Sequence, residues 1–138
     1  MQKIIRIISL VILIISFSCE DQSFIVQCSD CTIEEPVTAE LYAELDPDHY
    51  YACLVQIWEG NLEDSILVDS YTIYTKTFTH EVTLNKKYTL TATYYISSDK
   101  YIAVDSATPH VKYEKAQCDD PCFYLYDKKL DLRLKYTH

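Results

Sequence analysis

Apolar and polar side chains alternate along this chain from residue 37 onward. Between residues 37 and 45, apolar residues occupy every odd position, and Thr, Glu or Tyr residues occupy the even positions. A period of two places the two sets of side chains on opposite faces of a β-strand, whereas a helix needs a period of 3.6. No stretch of the chain after residue 18 shows helical periodicity. The pattern therefore predicts an all-β fold.

The same alternation predicts further strands at 51–58, 66–74, 78–84, 88–96, 101–104 and 130–136, with turns at 46–48, 60–61 and 85–87. The first half of segment 51–58 has no polar face, which predicts a strand covered on both sides. About seven short strands, with turns roughly every ten residues, predict a single antiparallel β-sandwich over residues 37–138.

The charge and glycine content exclude two classes of function. The 138-residue chain has 21 Asp and Glu against 12 Lys and Arg, a formal net charge of −9. A nucleic-acid binder needs a basic face, so no nucleic-acid partner is expected. The only glycine is Gly60. Glycine-rich phosphate loops and dinucleotide fingerprints need several glycines, so we expect no cofactor.

The N-terminus carries a secretory signal. Lys3 and Arg6 precede an apolar run at 7–17, and its length of about eleven residues is too short for a transmembrane helix, which needs about 20. The run ends in Ser-Phe-Ser-Cys at 16–19, which resembles the lipoprotein box of bacterial lipoproteins. The resemblance implies removal of residues 1–18 and acylation of Cys19, with palmitate-type chains that anchor the protein in a membrane. The alternative is an ordinary signal peptide with an incidental cysteine.

The segment Glu-Asp-Gln-Ser at 20–23 resembles the export signal of Bacteroidota surface lipoproteins. The resemblance implies a lipid-anchored, surface-exposed protein of the outer membrane, with residues 19–36 as a lipidated N-terminus and short tether. In enterobacteria an acidic residue at this place instead signals inner-membrane retention. The whole chain is similar in style to small Tyr-rich Bacteroidota lipoproteins, a likeness that implies no activity.

The segment 82–94 follows a pattern of strand, turn, Tyr and strand. It resembles fibronectin type III domains and transthyretin-like sandwiches. The resemblance implies an immunoglobulin-like or transthyretin-like fold in which Tyr88 occupies a tyrosine corner, with its hydroxyl bonded to upstream backbone.

Five cysteines follow Cys19, and export to an oxidising compartment predicts disulfides between them. The candidates are Cys28, Cys31, Cys118 and Cys122, which either staple a long loop or join the tether to that loop; Cys53 is expected to be buried in its strand. Their spacing, C-x2-C and C-x3-C, also resembles a four-thiolate zinc knuckle. Such knuckles belong to reducing compartments, so we predict no metal site.

No residue pattern predicts an enzyme. The four histidines are scattered, and none stands beside a nucleophile motif. His80 falls on the apolar register of its strand, which is typical of a core or edge histidine. No group of carboxylates has the spacing of a calcium loop.

The thirteen tyrosines and one tryptophan indicate a binding protein. Tyr42, Tyr95, Tyr71 and Tyr74 fall on polar registers, and rigid amphipathic rings suit contact with sugars or proteins. The alternative is that tyrosine is simply favoured in strands. We hypothesise a non-catalytic binding module for a partner protein or glycan, with Tyr42, Trp58 and Tyr95 as candidate contacts. The alternative hypothesis is a structural accessory subunit of an outer-membrane or conjugation-type assembly, which an unpaired apolar edge strand would favour.

Overall fold

A computed structural model describes residues 26–47, 52–64 and 66–135 as an all-β protein. The described residues contain no α-helix and two short 3₁₀ turns, at Cys28–Asp30 and Leu62–Asp64. They form nine strands: β1 (Thr38–Glu44), β2 (Cys53–Glu59), β3 (Ile66–Ile73), β4 (Thr77–Thr83), β5 (Tyr88–Ile96), β6 (Asp99–Ala107), β7 (His110–Glu114), β8 (Cys122–Tyr126) and β9 (Lys129–Asp131).

Seven of these strands form the two sheets of the predicted β-sandwich. One sheet has the order β4-β1-β9 and the other the order β3-β2-β5-β6. All pairs within the sandwich are antiparallel except β1 and β9, which are parallel. β9 runs beside the last three residues of β1, where Tyr42 pairs with Lys129 and Glu44 with Asp131, and Lys128 O accepts a hydrogen bond from Tyr42 N.

The core lies between the two sheets and follows the alternation of the sequence. In β1 the odd positions point inward, and β4 and β9 place Phe78, Val82 and Leu130 on the same side. In the other sheet the inward positions of β2 and β5 are fully or almost fully buried. The residues without exposed surface include Leu41, Val55, Ile57, Leu90 and Leu132. One buried cluster therefore joins both sheets.

A buried tyrosine, Tyr94, forms hydrogen bonds with the backbone just after β1 and just after β9. The hydroxyl of Tyr94 donates to Leu132 O at 2.7 Å and accepts from Asp46 N at 3.1 Å. Burial raises the pKa of Tyr94 to about 12. Tyr88, the residue predicted for a tyrosine corner, is also buried, but its hydroxyl makes no such backbone bond within the described ranges. The tyrosine hydroxyl that bonds to upstream backbone is that of Tyr94.

The hairpin of β7 and β8 was not predicted. No strand is predicted between residues 105 and 129, yet β7 and β8 pair over five residues each. Polar and apolar residues alternate in β7 over only five positions, and β8 is apolar throughout, so neither gives a clear strand pattern. Phe123 and Tyr113 pack across this hairpin with ring centroids 4.9 Å apart.

Residues 26–36, part of the predicted tether, are folded against this hairpin. Thr32 and Phe123 exchange two backbone hydrogen bonds of 3.1 and 3.0 Å, and Val26 N donates to the Gln117 side chain. Two disulfides, Cys28–Cys118 and Cys31–Cys122, join the same segments. We call residues 26–36 and the β7–β8 hairpin the disulfide lobe.

Candidate binding face

The side of the four-stranded sheet that points away from the core forms a broad exposed surface, which we call the outer face. Register fixes its composition, because directly paired residues point to the same side of a sheet. Its members are Leu67, Ser70 and Thr72 of β3; Leu54, Gln56 and Trp58 of β2; Thr89, Thr91, Thr93 and Tyr95 of β5; and Lys100, Ile102, Val104 and Ser106 of β6. Among the described strands, these four are hydrogen-bonded only to one another.

Three threonines of β5 form the floor of a groove along the outer face. Thr89, Thr91 and Thr93 are only 4 to 6% exposed, although their side chains point away from the core. Larger side chains of the paired strands flank them: β2 supplies Leu54, Gln56 and Trp58 on one side, and β6 supplies Ile102 and Val104 on the other. The groove therefore has a threonine floor and largely apolar walls.

The walls and ends of this groove expose large apolar groups. Leu67, Tyr95, Ile102 and Val104 have 47 to 54% of their surface exposed. Single exposed apolar residues are ordinary on proteins, but a contiguous group on one face indicates a contact surface. The predicted contact residues do not include Leu67, Ile102 or Val104, because an apolar residue in a strand is expected to be buried. The only sequence signal is the unbroken Tyr-Ile-Ala-Val run at 101–104.

The outer face carries almost no charge, in contrast to the rest of the chain. Lys100, at one end, is the only charged residue among its members. The outward side of the three-stranded sheet carries Glu40, Glu44 and Glu81, together with two charges on β9. Depletion of charge is typical of the central part of protein interfaces.

The structure separates the three aromatic residues predicted as contacts. Trp58 and Tyr95 both belong to the outer face. They lie roughly 20 Å apart, because Tyr95 follows Thr89, the partner of Trp58, by about six residues of strand. Tyr42 lies on the outward side of the other sheet, where it pairs with Thr79 and Lys129 and is half-buried. The three side chains therefore do not share one surface.

Trp58 combines a half-buried ring with an unsatisfied donor. It lies between Leu67 and Thr89, next to an irregularity in the pairing of β2 and β3. Its Nε1 is buried and has no hydrogen-bond partner in the described part of the chain. A buried indole N–H without an acceptor is costly by about 1–3 kcal/mol. Trp58 is also the only tryptophan, which makes it an intrinsic reporter of this face.

Strand β6 forms an open edge of the same face. It has nine residues and pairs with β5 only, so one of its sides has no strand partner among the described residues. A cleft of about 310 Å³ lies beside this edge, between residues 101–104 and the segment that contains Asp131, Arg133, Leu134 and Lys135. Asp131 N donates to Asp105 Oδ2 at 2.8 Å and fixes one end of the cleft.

An ion-pair network lies beside this cleft. The Arg133 guanidinium donates to both carboxylate oxygens of Asp131, at 2.8 and 3.1 Å, and lies 3.1 Å from Glu44 Oε2. These hydrogen bonds lower the pKa of Asp131 to about 2. The pairs are exposed and fix the geometry of the cleft rim more than they stabilise the fold.

At the opposite edge of the sandwich, Tyr71 joins a polar cluster between β3 and β4. Its hydroxyl donates to Asp69 and lies 3.4 Å from His80 Nδ1, and its ring packs on Phe78 at 5.3 Å. The hydrogen bond from Tyr71 lowers the pKa of Asp69 and raises that of Tyr71. The prediction that the Tyr71 side chain faces solvent is wrong, because this side chain packs against the core at the edge of the sheet. Tyr74, by contrast, is 77% exposed. No Ser or Cys nucleophile takes part in the contacts of this cluster, and His80 is an edge histidine.

The predicted disulfides are present. Cys28 pairs with Cys118 and Cys31 with Cys122, so the bridges join the tether to the loop rather than closing either segment on itself. Cys53 is the free cysteine of the described residues; it is buried in β2, and burial raises the pKa of its thiol. A buried thiol with a raised pKa is a poor nucleophile. The predicted lipidation site, Cys19, lies outside the described residues.

No helix within the described ranges is long and apolar enough to cross a membrane. No protein-family model matches the chain, and no curated protein and no solved structure matches it.

Proposed function

We propose that the chain is a membrane-anchored surface lipoprotein whose β-sandwich is a non-catalytic binding module, and that its outer face contacts the partner. The observation that carries the proposal is the uncharged, partly apolar groove of the four-stranded sheet in a chain with a net charge of −9. The acyl chains implied for Cys19 would hold the module at the outer membrane.

The side chains of the groove favour a protein partner over a glycan. Glycan sites use aromatic faces beside hydrogen-bonding groups, and the outer face exposes one tyrosine strongly, Tyr95. Leu67, Ile102 and Val104 instead offer aliphatic surface of the kind found in protein interfaces. A glycan ligand is the other outcome that the experiment below distinguishes.

The test is capture of partners from intact producing cells by the full-length lipidated protein tagged at its C-terminus, with a glycan array probed by the same protein. Ile102→Ser/Val104→Ser and Tyr95→Ala alter exposed residues of the outer face, and Tyr42→Ala is the matched control on the other sheet. We expect both outer-face variants to lose the captured protein while Tyr42→Ala retains it. Binding should also change the emission of Trp58, because its ring lies in the groove wall.

Three results would contradict this proposal. Equal capture by the wild type and Ile102→Ser/Val104→Ser would show that the outer face is not the contact surface. Loss of capture in Tyr42→Ala alone would place the contact on the three-stranded sheet. A glycan signal that Tyr95→Ala abolishes, without a captured protein, would replace the protein partner by a sugar.

The open edge of β6 favours a second candidate function, that of a structural accessory subunit in an outer-membrane or conjugation-type assembly. An edge strand with exposed Ile102 and Val104 is suited to pairing with a strand of another chain. Such a subunit would co-purify with one stoichiometric partner that stays bound in detergent. A binding module would instead release its partner on dilution, so the rate of release discriminates between the two functions.

A further inference from the structure

Three sulfur atoms of the two disulfides lie close together, and the fourth is bonded to one of them. The Sγ atoms of Cys31, Cys118 and Cys122 all lie within 4.8 Å of one another, although they belong to two different disulfides. Cys28 adds the fourth sulfur, because it is bonded to Cys118. Two independent disulfides do not require their sulfur atoms to lie this close to one another, whereas binding of one shared metal ion does.

The arrangement fits the geometry of a tetrathiolate metal site. Zn²⁺ binds thiolates at about 2.3 Å in a tetrahedron, which places neighbouring sulfurs about 3.8 Å apart. One pair of sulfurs comes from the 3₁₀ turn Cys28–Asp30, which is closed by hydrogen bonds from Asp30 N to Gln27 O and from Cys31 N to Cys28 O. The other pair comes from Cys118, in the loop before β8, and Cys122, the buried first residue of β8. Two short chelating segments from distant parts of the sequence are typical of structural zinc sites.

The group is accessible and its surroundings favour a cation. A cleft of about 310 Å³ is lined by all four cysteines and by Asp119 and Asp120, and its lining contains no Lys or Arg. An ion can therefore enter from solvent, and the two carboxylates attract positive charge. Cys53 lies apart from the cleft, in the core of the sandwich.

We propose that reduction of the two disulfides converts the disulfide lobe into a binding site for one Zn²⁺, held by the thiolates of Cys28, Cys31, Cys118 and Cys122. A dithiol reductant supplies two electrons and two protons to each S–S bond and becomes a cyclic disulfide. Zn²⁺ then displaces the four thiol protons and forms four Zn–S bonds, so the complete exchange releases four protons for each bound ion. The tether and the hairpin are thus joined by disulfides when the lobe is oxidised and by a bound metal ion when it is reduced.

The test uses the full-length protein in detergent, oxidised or reduced under anaerobic conditions, with Co²⁺ as the spectroscopic probe and Zn²⁺ as competitor. We expect the reduced protein to bind one Co²⁺ with the visible absorption of a tetrahedral thiolate site, and Zn²⁺ to abolish that absorption. The oxidised protein should show neither. Removal of one hydrogen-bonding partner of a metal ligand costs about 10- to 100-fold in metal affinity. Cys31→Ser/Cys122→Ser removes two of the ligands themselves, so it should weaken metal binding by more than about 100-fold. Cys53→Ala is the matched control and should bind as the wild type does.

Several results would overturn the proposal. Co²⁺ binding without thiolate absorption would mean that the aspartates alone attract the ion. Equal affinity of the oxidised and reduced forms, or of the wild type and Cys31→Ser/Cys122→Ser, would exclude the cysteines as ligands. Circular dichroism of the reduced protein shows whether a lack of metal binding is due to unfolding. A retained β-spectrum without metal binding would refute the site. A lost β-spectrum that Zn²⁺ does not restore would refute it as well.

Discussion

The hydroxyl group of Tyr94 gives a quantitative test of how the core is held together. Tyr94→Phe removes one oxygen atom from a side chain that is 3% exposed and leaves the ring in place. Leu132 O then loses its donor in a buried position, and Asp46 N loses its acceptor in a partly buried one. The aromatic packing does not change, so the effect isolates the two hydrogen bonds.

The expected loss follows from the burial of these two groups. A buried polar group left without a partner costs about 1–3 kcal/mol. The carbonyl of Leu132 bears most of this cost, because Asp46 is at the surface and its N–H can reach water. We therefore expect Tyr94→Phe to lower the free energy of unfolding by about 2 kcal/mol. For a domain of about 110 residues this corresponds to a fall in Tm of about 8 °C.

Tyr88→Phe is the matched control, because Tyr88 lies on the same strand and the same inward side and is 4% exposed. Its hydroxyl makes no hydrogen bond within the described residues, so its removal should change Tm by less than about 2 °C. Thermal unfolding followed by circular dichroism measures both variants. Equal changes in Tyr94→Phe and Tyr88→Phe would refute the argument, because the effect would then be independent of the two backbone partners.

The pH dependence of the Tyr94 effect has a definite sign. Burial raises the pKa of Tyr94 to about 12, while the unfolded chain titrates near 10. The folded state therefore keeps a proton that the unfolded state releases, and this stabilisation is complete below pH 10 and is lost as the pH rises towards 12. The difference in Tm between wild type and Tyr94→Phe should be constant up to pH 10 and decrease above it. A difference that grows above pH 10 would contradict the assignment.

Three further predictions concern the disulfide lobe, the cleft and the anchor. The first bridge to form closes a loop of 90 or 91 residues, and the second then closes only about nine residues, so Cys→Ser replacement of either bridge alone should cost about 2.5 kcal/mol in denaturant unfolding and of both about 7; a loss for the double replacement that is only the sum of the two single losses would contradict the nested loops. Arg133→Gln should raise the pKa of Asp131 from about 2 towards its ordinary value of 3.8, as read from carboxyl chemical shifts in an NMR titration, and an unchanged midpoint would show that Arg133 is not the cause. Cys19→Ala should release the protein from membranes and abolish labelling with palmitate, whereas unchanged fractionation would exclude the lipid anchor.

Two of the strands that the sequence predicted show a clear alternation of apolar and polar residue types. Segment 37–45 contains β1, and segment 88–96 coincides with β5. Alternation is a local property, because it depends on which side of one strand meets the core. Strand β7 alternates over only five residues, and β8 is apolar throughout, so neither predicts a strand clearly. The bridges that join this hairpin to the tether link residues about 90 positions apart, and such pairings cannot be derived from spacing.

The candidate face shows the same limit at the level of the sheet. Alternation placed Tyr42 and Tyr95 on the polar sides of their strands, and the structure places both side chains outward. It could not indicate that the two strands belong to different sheets, which puts the two rings on opposite sides of the sandwich. Burial of Thr91 was equally hidden, because the residues paired with it, Gln56 of β2 and Val104 of β6, are distant in the sequence. Strand order, which only tertiary structure reveals, decides both outcomes.

The distribution of charge between the two sheets gives the strongest physical support for an occupied outer face. Outward positions of a sheet accept Glu or Lys at little cost to folding, and β1 and β4 use several of them in this way. The equivalent positions of the four-stranded sheet hold Thr, Ser, Gln, Leu, Ile, Val, Trp and Tyr, with Lys100 at the end. Exposed apolar surface on a sheet with an open edge favours association, and charges would prevent it. The near absence of charge from this face, in a chain rich in carboxylates, therefore supports the proposal that a partner binds there.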